Sequence, residues 1–253
     1  MEYLSFSRLA ALETCGLRFF YEYVARLAPE DPVPTHHASF GTLLHGLYER
    51  HAASGGAEGF EELRGAYDEG FRAIAPEFPS REEAVVFYRQ GLGGLFRFSR
   101  YRVDDVVGSE MAFEHAIERG VPPVKGFIDR VIHTDEHGYI VADLKTGKPF
   151  SGRHRTKMRQ LVLYSLACGE LYGETAASGY FDFAVRGQRE WVDIGDEDRA
   201  AARSWVREKW EQILREDFAP RYSRPFCSVY CAYRSRCPAF LEHANDSRQA
   251  DGR

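Results

Sequence analysis

Near residue 103 the texture of the sequence changes, and that change limits the folds open to the chain. Before it, apolar residues recur at helical spacing. Residues 7–27 carry Leu9, Leu12, Leu17, Phe20, Val24 and Leu27 in that rhythm, which predicts one long helix ended by Ala28-Pro29-Glu30-Asp31-Pro32. Further helices are predicted over Phe40–Ala53 and over about 60–75 and 81–101, the last two split by Pro76 and Pro79. After residue 103 the segments are short and rich in Val, Ile, Phe and Tyr. Residues 103–117, 124–133 and 138–145 read as strands, bounded by Gly120, Pro122, Pro123 and His137-Gly138. A helix at about 157–172, strands at 178–185 and 189–194, and a long helix at 196–216 follow. This order predicts an α/β fold: a mixed central β-sheet flanked by helices, with a helical N-terminal cap over residues 1–101, a core over 102–216 and an irregular cysteine-rich tail over 217–240. Residues 241–253 are expected to be disordered.

Composition matters at three points. The 253 residues are 44% hydrophobic, enough for a sizeable core, and one domain is expected. No stretch approaches the roughly 18 apolar residues of a membrane span. The opening residues Met1–Arg8 lack a basic segment followed by an apolar one, so the expectation is a cytoplasmic protein whose thiols stay reduced. The net charge of -5 argues against a protein coated in nucleic acid, and five cysteines leave an odd one over.

The chemistry concentrates in Gly126-Phe127-Ile128-Asp129 and Asp143-Leu144-Lys145-Thr146-Gly147-Lys148. On a strand, residues two apart share a face, so Asp143 and Lys145 point the same way. If the two strands pair as a hairpin, Asp129 comes near Asp143. Two carboxylates and an ammonium then converge, a hard-oxygen site suited to Mg²⁺ or Mn²⁺. Lysine is scarce, with five against 28 arginines, which makes a lysine motif harder to meet by chance. Lys145-Thr146-Gly147 has no Ser-x-x-Lys to accompany it, and no phosphate-binding Gly-x-x-x-x-Gly-Lys-Ser/Thr loop exists, so a β-lactamase reading and a built-in ATP motor are excluded. Gly41-x-x-x-His45 places a histidine on a predicted helix, and Gln160 and Tyr164 lie one turn apart on another.

In this order, Gly41-x-x-x-His45, Gly126-x-x-Asp129, Asp143-x-Lys145 and Gln160-x-x-x-Tyr164 resemble the PD-(D/E)XK nucleases. The likeness is strongest to the RecB-like branch, which includes the AddB C-terminal nuclease domain and the CRISPR-adaptation nucleases. Leu4-Ser5-Phe6-Ser7-Arg8-Leu9 and Cys15-Gly16-Leu17-Arg18-Phe19 look like that branch too, and the resemblance runs from about residue 4 to 240. It implies a restriction-endonuclease-like core. It implies that His45, Asp129 and Asp143 hold the metal, with the Leu144 carbonyl and Glu110 as further oxygen donors. It implies that Lys145 orients the attacking water and that Gln160 and Tyr164 lie beside the scissile strand. One departure is Ile128, where the family's name has proline.

Cys227, Cys231 and Cys237 fall within eleven residues and Cys15 lies near the start; four thiolates suit Zn²⁺ or a [4Fe–4S] cluster. The resemblance implies the cluster, stapling the two ends of the domain, although the first C-terminal pair is spaced three residues apart where the family commonly has two. Cys168, inside a predicted helix, is read as a buried apolar residue. From Leu144 to Arg159 there are six basic residues (Lys145, Lys148, Arg153, Arg155, Lys157, Arg159) plus His154 and no acid, a stretch a phosphate backbone would meet on entering the site. Tyr222, Phe226, Tyr230 and Tyr233 could stack on bases or wrap the cysteine site. The function expected is a Mg²⁺- or Mn²⁺-dependent deoxyribonuclease. By family likeness it is an exonuclease on single-stranded DNA ends, in repair and recombination or CRISPR adaptation, with a helicase or CRISPR integrase as partner. The alternative is a catalytically silent Fe–S subunit that binds DNA as an adaptor for such a complex.

Overall fold

The computed structural model describes residues 1–150 and 155–243, with side chains of 155–157 also left out. It divides into two compact units. The larger comprises Thr35–His115 and Lys125–Ala202; the smaller comprises Met1–Pro34, Ala116–Val124 and the residues from Arg203 on.

The larger unit is built on a five-stranded sheet in the order β1 (Val106–His115), β2 (Val124–Thr134), β3 (Gly138–Leu144), β4 (Ser178–Phe183), β5 (Gln188–Asp193). β2 and β3 form an antiparallel hairpin in which Arg130 faces Ala142 and Val131 faces Val141. β3 and β4 run parallel, Asp143 facing Phe181, so the chain must cross over between them. It does so through α6 (Arg155–Tyr172). β4 and β5 close the sheet as an antiparallel pair.

Side chains alternate across a strand, and each face is covered by different material. Val131, Val141, Phe181 and Phe183 pack against Leu161, Val162, Tyr164, Ala167 and Cys168 of α6. Ile132, Ile140, Ala142 and Tyr180 form a second cluster on the opposite face. A third core joins Leu144, Ala184 and Val185 to α3 (His36–Ala53), α4 (Phe60–Ile74) and α5 (Arg81–Phe98) through Phe40, Leu44, Tyr48, Tyr67 and Phe98. Cys168 is fully buried, and burial with the nearby Glu174 charge pushes its thiol up to about 11, as suits a small apolar core residue.

In the smaller unit the helix predicted over residues 7–27 is broken. α1 (Phe6–Thr14) and α2 (Gly16–Phe19) are separated by Cys15, whose backbone is extended at φ -161°, ψ 113°, and a π-helical turn Phe20–Val24 follows. Just after the break, Gly16 lies so close to the chain at Phe218 that a Cβ there would fall 2.8 Å from backbone atoms. Helical periodicity cannot register a contact with a segment about 200 residues away. The tail has more order than the sequence suggests, with α8 (Arg224–Tyr230) and a 3₁₀ turn Arg234–Arg236. α7 (Asp196–Leu214) follows the predicted helix closely. Of the residues 241–253 expected to be disordered, 241–243 are helical and those from 244 on lie outside the described residues. Among the described residues no helix is long and apolar enough to cross a membrane.

Candidate metal centre and its lysine

The hairpin register that sets Arg130 opposite Ala142 carries Asp129 one step further, toward Asp143. Both carboxylates are buried, 8% and 2% exposed. Asp129 Oδ2 accepts the Leu144 N–H at 2.7 Å, which locks its rotamer across the hairpin. Gly126 opens the Gly-x-x-Asp segment because the Phe113 ring crosses it; a Cβ there would lie 3.0 Å from that ring.

α3 brings His45 to this pair. Its Nδ1 stands 3.5 Å from Asp129 Oδ2 and 4.0 Å from Glu110 Oε1. Among the described residues, His45, Glu110 and Asp129 are the one group of three ligand-type side chains whose donor atoms lie within 4.8 Å of one another. Glu110 reaches it through a distorted strand. Its φ is +49°, a left-handed conformation that costs a non-glycine residue of order 1 kcal/mol. Along β1 the exposed residue is Val107 before Glu110 but Ala112 and Glu114 after it, so the alternation slips by one, as a bulge does.

The lysine lies within a closed ring of side chains. Lys145 Nζ is 2.5 Å from Asp143 Oδ2 and donates to Gln160 Oε1 at 3.1 Å. Gln160 Nε2 donates to Tyr164 Oη at 2.9 Å, and Tyr164 Oη donates to Asp143 Oδ1 at 3.3 Å. Each donor in the ring finds an acceptor, so Lys145 and Asp143 are held from both sides. Gln160 and Tyr164 thus act on the lysine and on Asp143, and not directly on the His45–Glu110–Asp129 group.

Electrostatics match a cation site. Burial, then the Asp143 charge, pushes Asp129 up to about 7. Burial lowers His45, but Glu110, Asp129 and Asp143 outweigh it and raise the histidine above its ordinary value. Burial and the two carboxylates raise Tyr164 well above the usual phenol range, so it stays a donor. Crowded, desolvated carboxylates of this kind need a counter-charge, and a hard divalent cation with mixed imidazole and carboxylate donors fits the set.

The nucleic-acid residues read from sequence are only partly visible. Lys148 is exposed on the loop after β3 and Arg159 is half-buried on α6. Arg153 lies outside the described residues, as do the side chains of Arg155 and Lys157. Sequence reasoning missed Arg130, a fully buried arginine beside Asp129; its only signal was an arginine set among Ile128, Val131 and Ile132.

In the smaller unit, Cys15, Cys227, Cys231 and Cys237 line one small cleft and none is in a disulfide. Cys15 Sγ accepts the Arg221 N–H at 3.5 Å and Cys227 Sγ the Ser223 N–H at 3.4 Å, bonds that stabilise thiolate sulfur. Burial raises the Cys231 thiol. Arg18, Arg221 and Arg234 border the same cleft.

A profile of the family described as the PD-(D/E)XK nuclease superfamily matches residues 3–238. No curated protein matches the sequence. Among solved structures, the chain is similar to a "Putative exonuclease" from Eubacterium rectale, with a TM-score of 0.53 at 14% identity over 85% of this chain and 81% of that one. A second, SSO0001, is 18% identical over 79% of this chain and 95% of that one, with a TM-score of 0.39.

Proposed function

The chain belongs to the PD-(D/E)XK nuclease superfamily, and from that premise we propose that it is a Mg²⁺- or Mn²⁺-dependent deoxyribonuclease of the RecB-like branch, acting on single-stranded DNA ends. The observation that carries this reading is the junction of two arrays: the His45–Glu110–Asp129 group and the Asp143–Lys145 pair, joined through the β2–β3 hairpin.

His45, Asp129, Asp143 and Glu110 would hold the ion, with the Leu144 carbonyl as a further donor. An ion held there would supply Lewis acidity for phosphodiester hydrolysis. The remaining work falls to the chain. Lys145, fixed between Asp143 and Gln160, presents an ammonium that orients the nucleophile and offsets charge on the phosphoryl oxygens. Tyr164, buried and protonated, holds Asp143 in its ligand rotamer. Gln160 transmits the helix position to Lys145. Lys148, Arg153, Arg155, Lys157 and Arg159 belong to the run that would meet the DNA backbone. An intact set of four ligands and a held lysine favours catalysis over a silent adaptor.

The four cysteines are proposed to hold a [4Fe–4S] cluster. A tetrahedral Zn²⁺ with bonds of about 2.3 Å would draw its sulfurs to roughly 3.8 Å apart. The choice of the cluster over zinc rests on the family resemblance, with Cys15 near the start and three cysteines within eleven residues of the tail. A helicase or CRISPR integrase partner, a cytoplasmic setting and a place in repair or adaptation follow from the branch reading alone.

The test is degradation of DNA labelled at either end, with Mg²⁺, Mn²⁺ or neither. Asp143→Ala and Lys145→Ala should each lower the rate at least about 100-fold, the scale of a lost acid–base or electrostatic group. Equal activity in those variants would overturn the assignment. Protein purified without oxygen should be brown; a colourless, zinc-loaded protein would overturn the cluster.

A further inference from the structure

Behind the metal centre, on the opposite face of the sheet, lies a groove that the proposed chemistry does not use. Arg130 follows Asp129 on β2 and therefore points the other way, and with Ile132, Ile140 and Tyr180 it lines the groove. The residues closing α5 and the edge strand β5 complete it. The space is about 870 Å³ and open to solvent, at the upper end of the roughly 300–1,000 Å³ of ligand sites.

Its lining has a definite chemistry. Five arginines (Arg97, Arg100, Arg102, Arg130, Arg189) face one acid, Asp105. Two of them are committed to the fold. Arg97 donates to the Ala184 and Val185 carbonyls, at 3.0 and 2.6 Å, and Arg189 pairs with Asp182 at 3.2 Å between the rings of Tyr101 and Tyr180. Arg100 lies over the Phe96 ring, and Arg102 makes an exposed pair with Asp104. The aromatic side is as distinctive. Trp191 is 57% exposed beside Tyr180, and Phe96 is 47% exposed.

Arg130 supplies an independent pointer. It is 2% exposed, its guanidinium 3.7 Å from the centre of the Tyr48 ring, and its Nη2 donates to the Tyr48 carbonyl at 3.4 Å. Its Nε, however, has no hydrogen-bond acceptor among the described residues, and the buried Tyr48 hydroxyl has no partner there either. A buried charged donor left unmatched is costly. An acceptor-bearing ligand in the groove removes that cost.

We propose that this groove binds a segment of single-stranded nucleic acid, with bases stacked on Trp191 and Phe96 and phosphates on Arg100 and Arg102. Aromatic platforms interleaved with cations are the means by which proteins hold single strands without reading sequence. The choice of a strand over a free nucleotide rests on the nuclease reading and on a lining that offers two exposed aromatic rings, Phe96 and Trp191, and two exposed arginines, Arg100 and Arg102. A strand held there is gripped on the far side of the sheet from the bond being cut.

The experiment is fluorescence anisotropy of a fluorescein-labelled thymidine oligonucleotide, about 15 nucleotides long to match the site size of a single-strand groove, in EDTA, so that cleavage plays no part. Trp191→Ala and the double variant Arg100→Glu/Arg102→Glu change exposed residues, and their melting should match the parent. Each should weaken binding at least about tenfold, the scale of one lost base stack, and the double variant should flatten the salt dependence. Parental affinity in both variants would overturn the proposal. Full displacement of the oligonucleotide by millimolar thymidine monophosphate would overturn the strand and leave a mononucleotide pocket. Failure of the two readings is distinguishable: a parent that binds through this groove yet cuts nothing in Mn²⁺ sinks the nuclease reading alone, and one that cuts yet binds independently of Trp191 sinks the groove alone.

Discussion

Asp129 shows how one residue is tuned by its neighbours. Its carboxyl rises from 3.8 to about 7 because it is buried and faces Asp143. A folded value above the unfolded one favours the folded state while the group is protonated. Its contribution is therefore complete below about pH 3.8 and is lost as pH rises through about 7. His45, also raised, shifts stability in the same direction. Metal-free protein should thus melt at a lower temperature at about pH 8 than at about pH 5. Asp129→Asn, which keeps an acceptor for the Leu144 N–H, should recover about 2 kcal/mol of that loss at the higher pH. Calorimetry in EDTA across this range checks it; a parent and variant with the same pH slope would refute the account. Because Mn²⁺ must displace that proton, its affinity should rise from about pH 5 to about pH 7. Tyr164→Phe removes one bond to Asp143 without opening a cavity, so a roughly tenfold loss of Mn²⁺ affinity with little change in melting is expected. The spacing Asp143-x-Lys145 is enough to place two of these groups on one face of a strand. The ring closed by Gln160 and Tyr164 does not follow from spacing, because it depends on where α6 docks.

Elements are shaped by what touches them. β1 follows its predicted course, yet its alternation slips at Glu110, and only the slip brings that carboxylate to His45. Nothing in the local pattern marks a left-handed glutamate. At the break between α1 and α2, where periodicity asks for one helix, tertiary contact also sets a residue: the backbone at Phe218 forbids a side chain at position 16. Gly16→Ala therefore cannot be relieved by turning a side chain. It should cost about 2 kcal/mol, on the scale of overpacking, seen as a lower urea midpoint with normal Mn²⁺ binding. Element types are legible because helical and two-residue periods differ plainly. The ends shift where capping or tertiary contact decides, as where Ser80 caps α5 through the Glu83 N–H at 3.1 Å.

At the scale of the molecule, each unit is assembled from distant stretches of chain. The smaller one gathers the first 34 residues, Ala116–Val124 and the C-terminal part. Leu4 pairs with Val124, and Arg203 and Arg207 reach Ile117 and Glu118. A cluster on Cys15 and Cys231 would close a loop of roughly 200 residues, so its removal frees much chain entropy. Cys231→Ser should speed hydrogen exchange throughout that unit by at least about tenfold; unchanged protection would show that packing alone suffices. The net charge of -5 also takes its meaning here, since charge is distributed by face: carboxylates at the metal centre, arginines in the groove behind it. By itself the sequence determined the fold class, the strand pair and the identity of the chemical groups, because those depend on local period and residue type. The tertiary structure alone decided which groups meet: His45 with Glu110 and Asp129, Lys145 with Gln160, and five arginines in one groove. Those encounters are set by register, docking and steric exclusion between segments far apart in the chain, which no local pattern encodes.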